Sequence, residues 1–311
     1  MIVIAGFNSA VDKWMETDEV RIGGVSRVRG VRAFPGGKGL HVAVAVAELG
    51  ERAHLVGIVD ERHHDLFHDF LRERGVSFTG ITVDGELRTC IALRDAEGRF
   101  TELLEPGPTV GSSSRDLLTG RFLELARAAS FGVLSGSLPC GFPPTTYRDL
   151  LTGLAAVRVT SLLDASDETL QLGLEGRPFL VKANRDEASA LYGAAVDDPI
   201  GAARAAADLA SKGIAFAVIS LGAEGAVAAF EGHTLHARPP TLVARNVVGA
   251  GDCLLAGLAV GLRRGLTPED SLRLGVACGA AKAQNAETGF MRKADVEALL
   301  PKIVLRNITR T

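Results

Sequence analysis

The sequence lacks the excess of basic residues with which nucleic-acid-binding proteins hold a phosphate backbone. Its 34 lysines and arginines are balanced by 37 aspartates and glutamates, which gives a formal net charge of −3. Cysteine is scarce as well, with no C-x-x-C pair and no zinc-type spacing among Cys90, Cys140, Cys253 and Cys278. We therefore expect no nucleic-acid partner, no zinc site and no disulfide framework, but four reduced cysteines with small, buried side chains.

Long hydrophobic runs are also absent. No apolar stretch reaches the roughly 20 residues that a membrane-spanning helix needs, and the segment Met1–Ala5 lacks the positive charge that opens a signal peptide. These two absences predict a cytoplasmic protein without a membrane partner. The chain of 311 residues, 47% of them hydrophobic, is long enough to bury a large core.

What the sequence contains instead is a glycine-rich turn before an apolar segment. Gly249, Ala250 and Gly251 can turn the chain tightly, and residues 254–262 are apolar on every side, as in a buried helix. Main-chain N–H groups at the start of such a helix attract an anion. Asp252 stands beside them, so the segment suits phosphoryl transfer, in which the carboxylate takes a proton from the attacking hydroxyl group. The alternative is that Asp252 only caps the helix or adds charge to its first turn.

A second glycine-rich segment, residues 35–39, also opens a predicted helix, which ends at Gly50. It carries Lys38, for which the sequence leaves two interpretations: an anion-binding residue or an ordinary solvated loop residue. Further upstream, the buried strand 2–6 ends in the polar segment 7–12. Because the carboxyl ends of buried parallel strands often face a ligand crevice, we expect this segment to lie near a binding site.

Strand-like and helical segments alternate along most of the chain, which predicts an α/β fold with a mostly parallel sheet and helices on both faces. Residues 12–34 and 88–108 interrupt this alternation, and we expect them to form a small antiparallel β-sheet that acts as a lid. The core would then consist of residues 1–11, 35–87 and 109–311. Arg27 and Arg29 lie in the first lid segment at a spacing of two, where the pattern alone favours protection of an exposed sheet edge.

Several segments together resemble the ribokinase-like (PfkB) carbohydrate kinases, especially their 1-phosphofructokinase and tagatose-6-phosphate kinase branch. The resemblance covers nearly the whole chain, and its motifs follow one another in a fixed order. They are Asn8–Asp12, Gly36–Gly39, Ala47–Gly50, Arg88–Thr89, Thr101–Pro108, Ser135–Pro139, Asn184–Glu187, Ser220–Gly225 and Val248–Asp252. The resemblance implies a ribokinase-like, three-layer α/β/α fold with a small β-sheet lid. It also implies that Asp252 is the general base and that the N–H groups of Gly249, Ala250 and Gly251 form the anion hole.

On the sugar side, the resemblance implies two groups of contacts. Positions that hold sugar hydroxyl groups in the family are matched by Asp12, Gly37 and Ser137. Positions that grip the phosphate already on the substrate are matched by Arg27, Lys38 and Arg88, three cations that suit one dianion. His41 stands where this branch usually has asparagine, at a sugar-contacting position.

On the nucleotide side, the resemblance implies ATP and Mg²⁺ as cofactors. Asn184 and Glu187 match an Asn-x-x-Glu motif that organises magnesium, through water because Mg²⁺ usually keeps several waters. Residues near 276–285 are expected to line the adenine. The positions that match ATP contacts are Lys182, Asn184, Ser220, Gly222, Ala223, Glu224, Gly225 and Gly251.

The function that this resemblance implies is ATP- and Mg²⁺-dependent phosphorylation of a phosphorylated ketohexose, either fructose 1-phosphate or tagatose 6-phosphate. One alternative is a kinase of an unphosphorylated sugar or nucleoside, against which Arg27, Lys38 and Arg88 argue. Another is a catalytically silent sugar-phosphate sensor on the same fold, against which the retained Asp252 argues. The free face of the lid is expected to pair with a second subunit in a homodimer.

Overall fold

The structure, a computed structural model, describes residues 1–308. Its strands are β1 (Ile2–Ala5), β2 (Ala10–Thr17), β3 (Val28–Gly36), β4 (Ala53–Val59), β5 (Ser77–Thr82), β6 (Arg88–Arg94), β7 (Phe100–Leu104), β8 (Phe131–Ser135), β9 (Thr160–Asp164), β10 (Leu180–Ala183), β11 (Phe216–Ser220), β12 (Ala226–Phe230), β13 (His233–Arg238) and β14 (Val304–Asn307). Its helices are α1 (Lys38–Glu48), α2 (His64–Glu73), α3 (Ser112–Ala126), α4 (Thr146–Ala156), α5 (Asp167–Glu175), α6 (Arg185–Tyr192), α7 (Pro199–Ser211), α8 (Ala250–Arg263), α9 (Pro268–Gln284) and α10 (Lys293–Leu299). Short 3-10 turns lie at Gly222–Glu224 and Leu300–Lys302.

A ten-stranded sheet forms the centre of the molecule, in the order β14-β13-β12-β11-β10-β9-β8-β1-β4-β5. The neighbours from β11 to β5 pair in parallel, whereas β12, β13 and β14 extend one edge by antiparallel pairing. The inner strands are buried on both faces, as all four residues of β1 show, because helices cover a parallel sheet on both sides. The predicted three-layer α/β fold is therefore confirmed.

A separate four-stranded sheet has the order β3-β2-β6-β7. This confirms the small second sheet, but the prediction that it is purely antiparallel is wrong. The outer pairs are antiparallel, with Gly98 at a φ of 82° in the turn between β6 and β7, whereas β2 and β6 pair in parallel. The reason is that β2 and β6 both leave the core at the same edge, with Ala10 opposite Arg88, and so run in the same direction.

Two strands, β5 and β14, were not apparent from the sequence. Both lie at the outer edges of the large sheet, and both are largely half-buried or exposed along their length. An edge strand buries few side chains, so it leaves only a weak hydrophobic pattern in the sequence.

Helix α8 is the buried helix that the sequence predicts, since every residue from Asp252 to Gly261 is buried. All four cysteines are free; Cys253 and Cys278 are buried and Cys90 is half-buried. Cys140 is exposed, so the prediction of a buried side chain is wrong there, because this residue lies in a surface loop after β8. Within residues 1–308, no helix combines the length and the hydropathy that crossing a membrane requires.

Candidate active site

Polar residues collect along the side of the large sheet that is formed by the carboxyl ends of its parallel strands. The parallel strands β1, β8, β9 and β10 all end there, because parallel neighbours run in the same direction. Asn8 follows β1, Ser137 follows β8, Asp164 ends β9 and Asn184 follows β10. The predicted crevice at the carboxyl ends of the strands therefore has a definite place in the fold.

The turn before α8 has the tight geometry that the sequence predicts. Gly249 adopts a left-handed conformation, with a φ of 85°, and a Cβ atom on it would lie 2.6 Å from the Cα atom of Gly289. Only glycine fits both conditions. The N–H group of Ala250, however, donates to the carbonyl of Val247 at 3.0 Å, so the expectation of three outward-pointing N–H groups is wrong for this residue. The cause is the turn itself, which closes residues 247–250 on one another.

Asp252 lies in the first turn of α8 and is 5% exposed. The helix is capped by Gly249 rather than by Asp252, and an oxygen of Asp252 contacts His41 instead. The Nδ1 atom of His41 lies 2.8 Å from Asp252 Oδ2, and its Nε2 atom lies 2.9 Å from Asp12 Oδ2. The structure thus joins the predicted base, a predicted sugar-binding carboxylate and His41 in one buried cluster.

The protonation of His41 follows from these contacts. Burial alone would lower the pKa of His41, but hydrogen bonds to Asp12 and Asp252 and the charges of the two carboxylates outweigh it and raise this pKa to about 10. The ring is therefore positively charged near neutral pH.

A second charged cluster joins residues that the sequence assigned to opposite substrates. Lys182, on the predicted nucleotide side, donates from Nζ to Asp164 Oδ2 at 2.7 Å, and Lys38, on the predicted sugar side, reaches Asp164 Oδ1 at 3.5 Å. The charge of Asp164 raises the pKa of Lys38 well above its usual range. Burial acts to raise the pKa of Asp164, but Lys182 and Lys38 outweigh it and hold this pKa below its usual value.

Sequence reasoning missed Asp164, although a signal was present. It is the polar residue that ends a buried strand, as in the segment after β1. Its neighbour Lys182 also approaches the start of α8, since a Cβ atom on Gly251 would lie 3.3 Å from Lys182 Nζ. The cluster therefore connects the ends of β9 and β10 to the glycine-rich turn.

Asn184 and Glu187, the predicted magnesium residues, form a capping box at the start of α6. The Glu187 N–H group donates to Asn184 Oδ1 at 2.9 Å, and the Asn184 N–H group donates to Glu187 Oε2 at 2.8 Å. Burial raises the pKa of Glu187. Residues 1–308 contain no cluster of three or more His, Cys, Asp or Glu side chains that could hold a metal directly. The one capping contact uses Oε2 of Glu187, which fits a magnesium ion bound through water by the other oxygen.

The remaining residues that were predicted to bind the sugar phosphate are Arg88, Ser137, Gly37 and Arg27. Arg88 is half-buried and donates from Nε and Nη2 to the carbonyl of Asn8 at 3.2 and 3.0 Å, while the Asn8 amide donates to Ser137 Oγ at 3.0 Å. Gly37 directly precedes α1, which starts at Lys38. Arg27 lies in an exposed segment before β3, and its guanidinium makes no hydrogen bond or ion pair to residues 1–308.

The predicted nucleotide loop follows β11. Ser220 donates from Oγ to the carbonyl of Ala183 at 3.3 Å, and Gly222 and Ala223 are exposed while Gly225 is buried. The carboxylate of Glu224 is paired with Arg185. The loop therefore lies beside the start of α6 and the Asn184–Glu187 box.

Lys282 is a further residue that sequence reasoning did not single out. It is fully buried in α9, and its Nζ atom donates to the carbonyl of Asn246 at 2.9 Å. Burial lowers the pKa of Lys282 to about 8. Asn246 in turn donates from its side-chain amide to Ala286 and Thr288, so Lys282 ties the segment before the glycine turn to the segment after α9. Adenine contacts were predicted near residues 276–285; residues 276–282 are buried, whereas Ala283 and Asn285 are half-buried and Gln284 is exposed.

Comparison with known proteins shows the family of the chain. Residues 7–294 match the model of the family described as pfkB family carbohydrate kinase. The chain is 30% identical over 302 residues to the 1-phosphofructokinase of Vibrio cholerae, covering 97% of this chain and 95% of that one. It is 33% identical over 286 residues to the 1-phosphofructokinase of Xanthomonas campestris, covering 90% of each. Among solved structures, phosphofructokinase-2 from Escherichia coli in complex with substrates and products superposes with a TM-score of 0.88 at 24% identity, covering 96% of this chain and 98% of that one.

Proposed function

Because the chain belongs to the pfkB family of carbohydrate kinases, we propose that it transfers the γ-phosphoryl group of ATP to a hydroxyl group of fructose 1-phosphate. The observation that carries the proposal is the meeting of Asp252, its glycine turn and the Lys38–Asp164–Lys182 cluster at one sheet edge. The two relatives named 1-phosphofructokinase favour fructose 1-phosphate as the substrate. Tagatose 6-phosphate remains the second candidate from the same branch.

In the proposed reaction, the substrate hydroxyl oxygen bonds to the γ-phosphorus while the bond from that phosphorus to the bridging oxygen breaks, and ADP leaves. The hydroxyl proton passes to Asp252, whose second oxygen does not contact His41. The N–H groups of Gly249 and Gly251 hold the charge on the transferred group. Lys182, next to Gly251, adds a positive charge on the nucleotide side.

Magnesium is the proposed cofactor, and Glu187 and Asn184 are its proposed water-mediated partners. When bound, the ion neutralises charge on the ATP phosphates. Glu187 is half-buried and close enough to Lys182, Lys38 and Asp164 for their charges to affect its pKa. Glu187 therefore lies close to the charged cluster at which the ATP phosphates are proposed to bind.

The phosphate already on the sugar is proposed to bind Lys38 and Arg88. Lys38 is the first residue of α1 and its side chain is 39% exposed, so it can reach a ligand from the helix N-terminus. Arg88 is the first residue of β6, an inner strand of the small sheet. Arg27, whose segment is exposed in this structure, is proposed to join them when the small sheet closes.

The small sheet, with segments 12–34 and 88–108, is accordingly proposed to be a lid that closes over the sugar and excludes water, since ATP hydrolysis competes with transfer. Hydrogen exchange measured with and without fructose 1-phosphate should show added protection in both segments. Exchange that does not change in either segment would contradict closure.

A panel of substrates tests the function. The panel contains fructose 1-phosphate, tagatose 6-phosphate, fructose, tagatose, ribose and adenosine, and kcat/KM for ADP production should be highest with fructose 1-phosphate. Replacing the proposed base, in Asp252→Asn, should lower turnover by about 10²–10⁴-fold. Calorimetry should still detect binding of the sugar phosphate to this variant. Faster turnover of a plain sugar or nucleoside would overturn the substrate class, and binding without ADP production from any sugar would favour the silent sensor.

We also propose that two lids pair in a homodimer. Five apolar side chains on the small sheet and its loops are at least 51% exposed, namely Ile22, Val25, Val31, Leu103 and Leu104, and an exposed apolar patch of this kind marks an interaction surface. Sedimentation should give a dimer that Leu103→Lys dissociates, whereas Leu117→Lys on α3, which is 49% exposed outside the small sheet, should leave it intact. A monomer at every concentration would contradict the pairing.

A further inference from the structure

Both ring nitrogens of His41 face carboxylate oxygens. Nε2 lies 2.9 Å from Asp12 Oδ2 and Nδ1 lies 2.8 Å from Asp252 Oδ2. A neutral imidazole has one N–H group and one bare nitrogen, so one of these contacts would place a nitrogen lone pair against an oxygen lone pair. With both carboxyl groups ionised, only the doubly protonated ring donates to both, and this is the state that the two contacts favour.

The ring is also held in place by its surroundings. His41 is 5% exposed, and a Cβ atom on Gly289 would lie 2.0 Å from its Cδ2 atom. Gly289 has a φ of 65°, a conformation that favours glycine. The loop after α9 therefore packs closely against the imidazole, and a side chain at position 289 would displace the ring.

We propose that His41 is a permanently charged imidazolium that positions Asp12 and Asp252 and keeps both ionised, and thereby sets the pH range in which Asp252 accepts a proton. This inference rests on the proposed function for the role of Asp252 as a base. His41 is a positioning residue in this account, because it acts through the two carboxylates. It stands where the resembling kinases usually have a neutral asparagine, so this chain would hold its base by a different charge arrangement.

The charge balance around the ring explains why a cation is needed. Asp12 comes from β2 and Asp252 from α8, and both are buried, so their like charges would repel each other if nothing stood between them. The other charged groups near the ring are Glu102 on β7, Lys38 on α1, and Glu287 and Arg74, which line one cavity together with His41. These two acidic and two basic groups balance one another, so without His41 the charges of Asp12 and Asp252 would have no counter-charge between them.

Two measurements test the proposal. Nitrogen NMR of the wild-type protein should show one histidine with both ring nitrogens protonated from mildly acidic to mildly alkaline pH, and His41→Asn should remove that signal. A neutral tautomer at His41 would overturn the proposal. This measurement needs no enzymatic activity, so it decides the charge of His41 even if the proposed reaction is wrong.

The second measurement is the pH profile of kcat at saturating substrate. Losing an opposite charge at this distance shifts a carboxyl pKa by about 1–3 units. In His41→Asn, the acid limb of the profile, where kcat falls as the pH is lowered, should therefore move to higher pH by about that amount. The variant should recover turnover at alkaline pH. Adding Asp12→Asn to His41→Asn should move the limb back down, because it removes the like charge. A uniform loss of kcat with an unchanged limb would refute the proposal.

His63 provides a matched control. It is also paired with an aspartate, with Nδ1 at 2.8 Å from Asp60 Oδ1, but it lies next to α2, outside the candidate site. His63→Asn should leave the acid limb unchanged. A shift as large as that of His41→Asn would show that the limb reports general electrostatics rather than Asp252. If Asp252→Asn retained turnover, Asp252 would not be the base, but the NMR result for the charge of His41 would still hold.

Discussion

Replacing Asp164 by asparagine should destabilise the protein more than any exposed charge change. The side chain of Asp164 is 0% exposed and that of its partner Lys182 is 4% exposed, so asparagine would keep the shape but leave the Lys182 ammonium buried without a counter-charge. Removing one partner of a buried pair costs about 3–5 kcal/mol. Lys38 adds little to this cost, because its side chain is 39% exposed and water screens the contact.

The expected change in melting temperature follows from this loss in the free energy of unfolding and from the length of the chain. An unfolding entropy of about 2.1 cal/mol/K per residue over 311 residues amounts to about 0.65 kcal/mol/K, so Asp164→Asn should lower Tm by about 5–8 °C. Calorimetry near neutral pH measures this loss. Asp116→Asn is the control, since that carboxylate is 72% exposed and lies 3.2 Å from Arg115, and it should change stability by less than about 1 kcal/mol.

The pH dependence gives a second check on the same variant. The folded-state pKa of Asp164 is held below its usual value of 3.8, so its contribution to stability is complete above that value and is lost as pH falls through the lower, folded-state pKa. The difference in Tm between wild type and Asp164→Asn should therefore narrow in acid. A loss no greater than that of Asp116→Asn, or a difference that widens in acid, would refute the buried-pair argument.

Two further predictions concern the ligands. Glu187→Gln should raise the magnesium concentration needed for half-maximal activity more than it raises the sugar KM, because the amide can still accept the Asn184 N–H bond but carries no charge for the metal's water shell; an unchanged magnesium requirement would remove Glu187 from that role. Arg88→Ala should raise the KM for fructose 1-phosphate by about 10–100-fold, the equivalent of about 1.5–3 kcal/mol for a bond to a charged group, and should affect fructose less; an equal loss on both sugars would contradict the phosphate-site assignment.

The fold was predictable from the sequence because its inner strands are buried on both faces. The residues of β1 and β12 are buried without exception, so each strand appears in the sequence as a short apolar run between helical segments. The edge strands β5 and β14 gave no such pattern. The direction of β6 relative to β2 was also hidden, because pairing depends on where both strands leave the core and not on their own residues.

The parts of the site that are local in sequence were predictable too. The glycine turn at Gly249 and the Asn184–Glu187 pair each lie within four residues, and their spacing alone indicates a helix start. For Asn184 and Glu187 the spacing fits both a capping box and a magnesium motif. The structure has the capping box, and the magnesium role stays a prediction.

Contacts between distant segments were not predictable. His41 contacts Asp12, 29 positions before it, and Asp252, 211 positions after it. The sequence around each of these residues gives no sign that it contacts the other two. Asp164 and Lys182 are 18 residues apart, on neighbouring strands whose pairing had first to be known. A sequence pattern lists which charges are present, but burial and pairing decide their protonation, and both depend on the assembled fold.

The assembled site alternates charge in two short rows, Asp12–His41–Asp252 and Lys38–Asp164–Lys182. Each buried carboxylate contacts at least one cation, which meets the condition under which buried charges are tolerated. The first row carries one net negative charge and, in the proposed reaction, faces the hydroxyl group that loses a proton, whereas the second carries one net positive charge and faces the phosphates. If either central residue were neutral, the two like charges on its sides would have no counter-charge between them. The central residues His41 and Asp164 therefore determine the chemistry of the site as much as the groups that would touch the substrates.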